Sequence, residues 1–129
     1  EFGSGDPDAG FHAAAQVMFG LAPRLKHIAA TRREVHSSSR HDLTGLLADR
    51  DGLSVSPTLA LENIIDRVGT GDAFAAGVVH GLVTGMGHQS TITFAAACAE
   101  WAHSVPGDFL RASLGDIAAL TAGGGDVRR

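Results

Sequence analysis

The sequence predicts an α/β fold in which a β-hairpin and short strands support packed helices. Three observations carry that prediction. An Asp-Gly pair at Asp51 and Gly52 separates the apolar runs LTGLLAD and LSVSP, the signal of a hairpin over Leu43–Ser56. A short apolar run, Leu61–Asp66, leads through a glycine-bearing turn into a charge-free segment, giving the order strand, turn, helix. Small residues then recur along two successive helices: Ala73, Gly77 and Gly81 on the first, and Ala95, Ala96, Ala99 and Ala102 beside Ile92 on the second. Such smooth faces let two helix backbones approach closely.

At 129 residues the chain fits one domain. With 44% hydrophobic and 19% charged residues it reads as globular, not disordered. The net charge of −4 and the dispersal of the nine arginines and Lys26 leave no basic patch, so nucleic acid is not an expected partner. Cys98 stands alone, which excludes a disulfide framework and fits a reducing, cytoplasmic setting. The run Ala73–Ala99 lacks Asp, Glu, Lys and Arg and is long enough to raise a membrane span. Gly85, Gly87, His88, Gln89 and Ser90 break it into two helices too short to cross a bilayer, so no membrane partner is expected.

Residues 1–9 read as a cloning scar or the cut edge of a longer protein, leaving 10–129 as the domain. Phe11–Leu21 has helical spacing, with Ala13, Ala14, Val17, Met18 and Leu21 on its apolar side and Gly20 and Pro23 closing it. Leu25–Thr31 reads as a buried strand and Arg32–Asp42, with three consecutive serines, as a polar loop. Leu61–Asp66 is a short strand and Thr91–His103 the second helix of the pair, ended by Ser104–Gly107. Ser113 and Asp116 have capping-box spacing before a last surface helix carrying Ile117, Ala119 and Leu120. The closing TAGGGDVRR reads as a frayed tail, and there are no internal repeats.

The chemistry concentrates at GTGD, Gly69–Asp72. As a plain turn, the glycines would supply unusual backbone angles and Asp72 would cap the helix. As a dinucleotide loop it fails, because Phe74 stands where the third glycine of G-x-G-x-x-G belongs, and the lone Lys26 removes a P-loop. As an anion hole, the N–H groups at a helix start would face a phosphate while Asp72 accepts a proton from an attacking hydroxyl. The residues alone leave the turn and the anion hole both open.

The seven histidines show no zinc-site spacing, so His36 and His41 near Asp42 are expected in structural or surface roles, and no metal-ligand set is expected. His80 should pack among apolar neighbours, and His103 should meet the last carbonyls of its helix. Ser37–Ser39 lack a nucleophile elbow, and Phe94, Cys98 and Trp101 share helical spacing expected of core.

The stretch DRVGTGDAF resembles the D-T-x-G-A-G-D signature of the ribokinase-like sugar kinases, the PfkB family. AATRREVHSSSRHDLTGLLAD, IIDRVGTGDAFAAG and AHSVPGDF extend the similarity from about Leu25 onward, to the C-terminal part of 2-keto-3-deoxygluconate kinases. The resemblance implies the C-terminal, nucleotide-side portion of a ribokinase-like α/β/α sandwich, and ATP-dependent phosphorylation of a sugar or keto-sugar acid hydroxyl. It implies ATP and Mg2+ as cofactors and, in some members, K+. Carried onto this chain, it makes Asp72 the catalytic base and Gly69, Thr70 and Gly71 the anion hole. It places a monovalent cation at Asp66, Val68, Ala102 and Gly107, and ATP contacts at Arg33 and Ala96.

Two departures bear on these roles. Thr70 replaces the usual small Ala or Gly of the loop, which is tolerable if only its N–H is used, although the added side chain would bring crowding near the phosphate. The N-terminal half that supplies most sugar contacts and the lid has no counterpart in this chain. The expectation is therefore a fragment incomplete for catalysis alone, with a non-catalytic nucleotide-binding remnant as the alternative. Partners would be ATP, a small sugar or sugar acid, and either the complementing half or a second copy, met along sheet edges at Leu25–Thr31 and Leu61–Asp66.

Overall fold

The computed structural model describes residues 5–122. The first helix, α1 (Pro7–Leu21), starts ahead of the expected Phe11. Asp6 caps it by accepting the Asp8 N–H at 3.0 Å, Pro7 pre-sets the first turn, and Asp8 adds a favourable negative charge there. Those signals lie in the stretch set aside as an edge. The buried face also differs from the expected one: Ala15 and Phe19 are buried with Ala48, joined by Phe11, Leu25, Ile28 and Leu53. Val17, Met18 and Leu21 are exposed. Phe11, Ala15 and Phe19 repeat every four residues, and the two rings carry more apolar area than the alanines that suggested the other face.

The expected buried strand and polar loop are replaced by a hairpin. Strand β1 (Ile28–Val35) pairs antiparallel with β2 (Arg40–Ala48), in register from Ile28 opposite Ala48 to Val35 opposite His41. The loop shrinks to His36–Ser39, with the His36 and Ser37 N–H groups donating to the Arg40 carbonyl at 3.0 and 3.1 Å. Arg32, Arg33 and Glu34 sit in a strand without disrupting it because β1 pairs on one side only and is largely exposed.

Strand β2 is the centre of the sheet. It pairs with β3 (Leu53–Val55) through Leu46–Ala48 and with β4 (Leu59–Glu62) through Arg40–Leu43, both antiparallel. The expected hairpin at Leu43–Ser56 is present, its turn held by the Asp49 carboxylate, which accepts the Asp51 and Gly52 N–H groups at 2.8 Å each. Leu43 and Leu47 face one side of the sheet and Ala48 the other, so β2 is covered on both faces and reads as an almost unbroken apolar run. β4 ends before the expected Asp66 because Asn63, at φ +55°, turns the chain away. Ile65 and Asp66 then donate to the His103 carbonyl at 2.9 and 3.4 Å.

Helices α2 (Thr70–Val83) and α3 (His88–His103) form an antiparallel pair in backbone contact. A Cβ on Gly77 would lie 2.7 Å from the Ala95 Cα, and one on Gly81 would lie 2.6 Å from Thr91. The pair covers the sheet through Phe74, Val78, Ile92, Ala95 and Ala99 against Leu43, Leu47 and Leu61. On its outer side α4 (Leu114–Ala122) inserts Ile117 beside Ala73, Phe94, Cys98 and Ala102, with Trp101 packed against them. The expected capping box is formed: Ser113 N–H donates to Asp116 Oδ2 at 2.8 Å and Asp116 N–H to Ser113 Oγ at 3.2 Å. Thr121 and Ala122 of the expected tail belong to α4; the rest of that tail lies outside the described residues. With α1 on one face of the sheet and α2–α3 on the other, the architecture is an α/β/α sandwich. Among the described residues no helix is long and apolar enough to cross a membrane.

Candidate functional site

The segment from Asp66 to Asp72 is held by two fastenings to the chain after α3. Asp66 Oδ1 accepts the Arg67 and Val68 N–H groups at 2.7 and 3.0 Å, and Oδ2 reaches across to the Gly107 N–H at 2.9 Å. The N–H groups of Val68, Gly107 and Arg67 hold its carboxyl below the usual carboxylate range. Gly69 is the second fastening. Its φ of +76° favours glycine, and a Cβ there would lie 2.8 Å from both the Cα and the carbonyl oxygen of Asp108.

Gly69, not Asp72, is the N-cap of α2, and no side chain caps the helix. The first intrahelical bond runs from the Ala73 N–H to the Gly69 carbonyl at 2.9 Å. The N–H groups of Thr70, Gly71 and Asp72 therefore have no acceptor within the helix. Gly71 opens on free space where a side chain would stand. Thr70 is buried and its hydroxyl turns back to the Arg67 carbonyl at 3.0 Å, so the expected crowding of the loop is absent. Asp72 is exposed on the first turn and lines a cavity of about 260 Å3 with Val68, Gly69, Ala102, Gly107 and Phe109. Donors at the positive end of a helix dipole and a free carboxylate thus share one turn.

The remaining candidates divide. Val68, Ala102 and Gly107 of the expected cation set meet on the wall of this cavity, but Asp66 is not on that wall and its oxygens take up backbone N–H groups. Ala96 is 1% exposed within α3, so its methyl has no surface for a nucleotide base; close packing in the core claims it. Arg33 is also diverted. Its guanidinium lies 3.0 Å from His103 Nε2 and 3.4 Å from His41 Nδ1, engaged between the sheet and the end of α3.

That cluster includes a residue to which the motif reading gave no role. Arg67 donates to the Ser38 carbonyl at 2.9 Å and approaches His41 Nε2 at 3.2 Å, tying the GTGD loop to the β1–β2 turn. Its signal was its place inside the motif. His41 is fully buried, and burial together with Arg67 and Arg33 lowers its pKa. A neutral ring accepts from only one of these two guanidiniums. His103 is buried too; its Nδ1 donates to the Ala99 carbonyl at 2.6 Å, the helix-end role expected of it. Burial, with Arg33 adding, outweighs that bond and lowers its pKa.

The other side chains have simpler places. His36 pairs with Asp42 at 2.9 Å at the exposed end of the hairpin, where Glu34, His36 and Asp42 place ligand atoms within 4.8 Å of one another. His80 packs on Phe94 with ring centroids 5.3 Å apart. Burial pushes the Cys98 thiol up to about 11, removing it from nucleophilic chemistry.

Fold and site together define an α/β/α sandwich with open N–H donors at a helix start, and the sequence identifies it further. A model of the pfkB family carbohydrate kinases matches residues 46–110, and the chain belongs to that family. Among solved structures it is similar to a PfkB family carbohydrate kinase from Listeria grayi, at 36% identity and a TM-score of 0.82, over 84% of this chain and 34% of that one. It is similar to 2-dehydro-3-deoxygluconokinase from Thermotoga maritima at 28% identity and a TM-score of 0.84, over 89% of this chain and 35% of that one. A candidate 2-keto-3-deoxygluconate kinase from Enterococcus faecalis matches at 26% identity and a TM-score of 0.84, over 100% of this chain and 37% of that one. The chain thus spans about a third of the length of each of these structures. Comparison with curated proteins gave no match.

Proposed function

We propose that this chain forms the phosphate side of an ATP-dependent kinase acting on a sugar or keto-sugar acid, with 2-keto-3-deoxygluconate as the favoured acceptor. One observation carries the proposal: the free N–H groups of Thr70, Gly71 and Asp72 and the Asp72 carboxylate occupy a single exposed turn beside a cavity. The names and folds of the Thermotoga and Enterococcus structures support the acceptor class.

In this reading the transferred γ-phosphoryl of ATP sits at the start of α2, where Gly69 and Gly71 place no side chain in its way. Asp72 takes the proton of the acceptor hydroxyl as its oxygen bonds to phosphorus and the bond to the β-phosphate oxygen breaks, leaving ADP. The N–H groups of Thr70–Asp72 receive the charge on the moving phosphoryl group. Mg2+ enters with ATP and neutralises phosphate charge. A monovalent cation, where one is used, would be held by Val68, Ala102 and Gly107 beside the negative charge of Asp66, and would supply positive charge next to the phosphate loop. The unpaired edge of β1 is where a complementing polypeptide or a second copy would add a strand. A reaction that consumes ATP and a chain with one buried thiol both suit the cytoplasm.

The test is Asp72→Asn in the polypeptide as its gene encodes it, supplied with MgATP and 2-keto-3-deoxygluconate. ADP formation should fall by about 10²–10⁴-fold while nucleotide affinity is kept. Comparable turnover in the variant would remove Asp72 from the chemistry. The short span favours one second reading, a nucleotide-binding module without catalysis. ATP binding with no turnover of any sugar by the unsubstituted protein would select it.

A further inference from the structure

His27, His88 and Asp49 converge from three separate parts of the chain, at the end of the α2–α3 pair opposite the phosphate loop. His27 immediately precedes β1, Asp49 follows β2, and His88 opens α3. Since α2 runs for 14 residues away from Thr70 before the chain returns as α3, this cluster lies some 20 Å from the GTGD turn. His88 Nδ1 is 3.0 Å from Asp49 Oδ2, and the other Asp49 oxygen is fixed by the hairpin turn. That carboxylate settles the His88 tautomer: Nδ1 carries the proton, and Nε2 presents its lone pair. Facing it is His27 Nε2, at 3.2 Å.

Two distances decide what this pair is built for. A straight N–H···N bond at that separation would hold the ring centroids about 5.5 Å apart, with both rings on one line. The centroids are 5.1 Å apart, with an interplanar angle of 84°, so the two rings are not collinear. An ion about 2.05 Å from each nitrogen would subtend an angle of about 100° at the observed spacing and bring the centroids to about 5 Å. The spacing departs from a linear hydrogen bond and leaves room for a common metal apex. Asp49 also stands behind His88 as the carboxylate that orients a metal-bound imidazole.

We propose that the Nε2 atoms of His27 and His88 form a two-point site for a late first-row divalent cation of the zinc or nickel type, oriented by Asp49. Imidazole nitrogens select such ions over Mg2+, which keeps oxygen ligands and its own waters, so this site is separate from the Mg2+ that accompanies ATP. The remaining coordination positions go to water or to an exogenous anion. An ion held there staples the segment before β1 to the start of α3 and raises stability by binding only the folded state.

The experiment titrates the purified full chain with zinc chloride by calorimetry, with magnesium chloride as the control, and follows the cobalt(II) absorption spectrum and the thermal midpoint. Zinc should bind one per chain and raise the midpoint; magnesium should do neither. His27→Gln and His88→Gln should each weaken zinc binding by more than about tenfold, Asp49→Asn by about tenfold, and His36→Gln should leave it unchanged. Circular dichroism of each variant verifies that it is folded, and the two histidine variants are independent of one another. Zinc binding that survives both histidine substitutions, disappears with His36→Gln, or is absent from the unsubstituted protein overturns the proposal.

Discussion

Gly69 and Asp108 meet backbone to backbone: any Cβ on Gly69 would fall 2.8 Å from the Asp108 Cα and carbonyl oxygen, at a φ of +76°. Gly69→Ala therefore combines an unfavourable backbone conformation with a collision that no side chain can relieve. The conformational part alone costs about 1–2 kcal/mol. Gly71→Ala meets open space and has an ordinary helical φ, so it should be neutral to slightly stabilising, by up to about 1 kcal/mol. The two variants should separate in ATP titration and in thermal melting: Gly69→Ala melts lower and binds nucleotide poorly, whereas Gly71→Ala keeps its midpoint and loses affinity. Unchanged ATP affinity in Gly71→Ala would argue against an anion at that turn.

Asp66 makes the loop acid-sensitive. Its folded pKa is depressed by the N–H groups of Val68, Gly107 and Arg67, so the folded state binds fewer protons than the unfolded one as pH falls below about 4. The associated stability is present above the unfolded pKa and is lost as pH falls through the folded value. Asp116, depressed by its bonds to Ser113, contributes in the same window. Asp66→Asn removes the acceptor that reaches Gly107 if its amide nitrogen takes that side, and it removes the titration in any case. Thermal midpoints measured between about pH 5 and 2 should fall less steeply for the variant than for the unsubstituted protein. Parallel curves would show that Asp66 does not couple the loop to folding.

Where neighbours in sequence are neighbours in space, the structure was legible beforehand. Asp51–Gly52 marked the hairpin, Ser113 and Asp116 the last helix, and Ala73, Gly77 and Gly81 a close helix contact, because each is a local or single-helix rule. The GTGD turn was legible for the same reason, down to Gly69 and Gly71. What stayed hidden depends on long-range pairing. Arg32, Arg33 and Glu34 read as loop because an edge strand needs no buried alternation, and it takes the pairing of His41 with Val35 on one side and Leu61 on the other to bring His41 inside. With that strand unseen, Arg33 was sent to a nucleotide instead of to His103, 70 residues away. Ala96 shows the opposite failure: a small residue can face a ligand or a packed helix, and its type does not distinguish them.

The buried histidines predict a second pH response, of distinct position. Both His41 and His103 have folded pKa values below the ordinary one, from burial and from Arg67 and Arg33 beside them. The unfolded chain takes up protons below about pH 6.5 that the folded chain refuses. Their contribution is therefore fully present above that pH and declines as pH falls toward the folded values. Thermal midpoints should drop between about pH 6.5 and 5, and the ring resonances of His41 and His103 should titrate below the ordinary histidine position. Normal titration of either ring would mean that the Arg33–Arg67 cluster is open to water.

Gly77 and Gly81 set the distance between α2 and α3, and they should differ in what they tolerate. A Cβ on Gly77 would meet the Ala95 Cα at 2.7 Å, so the two backbones themselves must separate. A Cβ on Gly81 would meet the Thr91 Cγ2 and Oγ1 at 2.6 Å and its Cβ at 2.8 Å, so rotation, which gives up the 3.4 Å approach to the Met86 carbonyl, relieves only part of the contact. Overpacking of this kind costs about 1–3 kcal/mol, against a gain of up to about 1 kcal/mol from replacing glycine within a helix. Both substitutions to alanine should lower the urea midpoint, Gly77→Ala by more, with unchanged dependence on denaturant. Because Ala73 on the same face touches the cavity beside Asp72, widening the helix pair at Gly77 should also weaken nucleotide binding. A Gly77→Ala protein as stable as the unsubstituted one would show that the helices are held apart by something other than this contact.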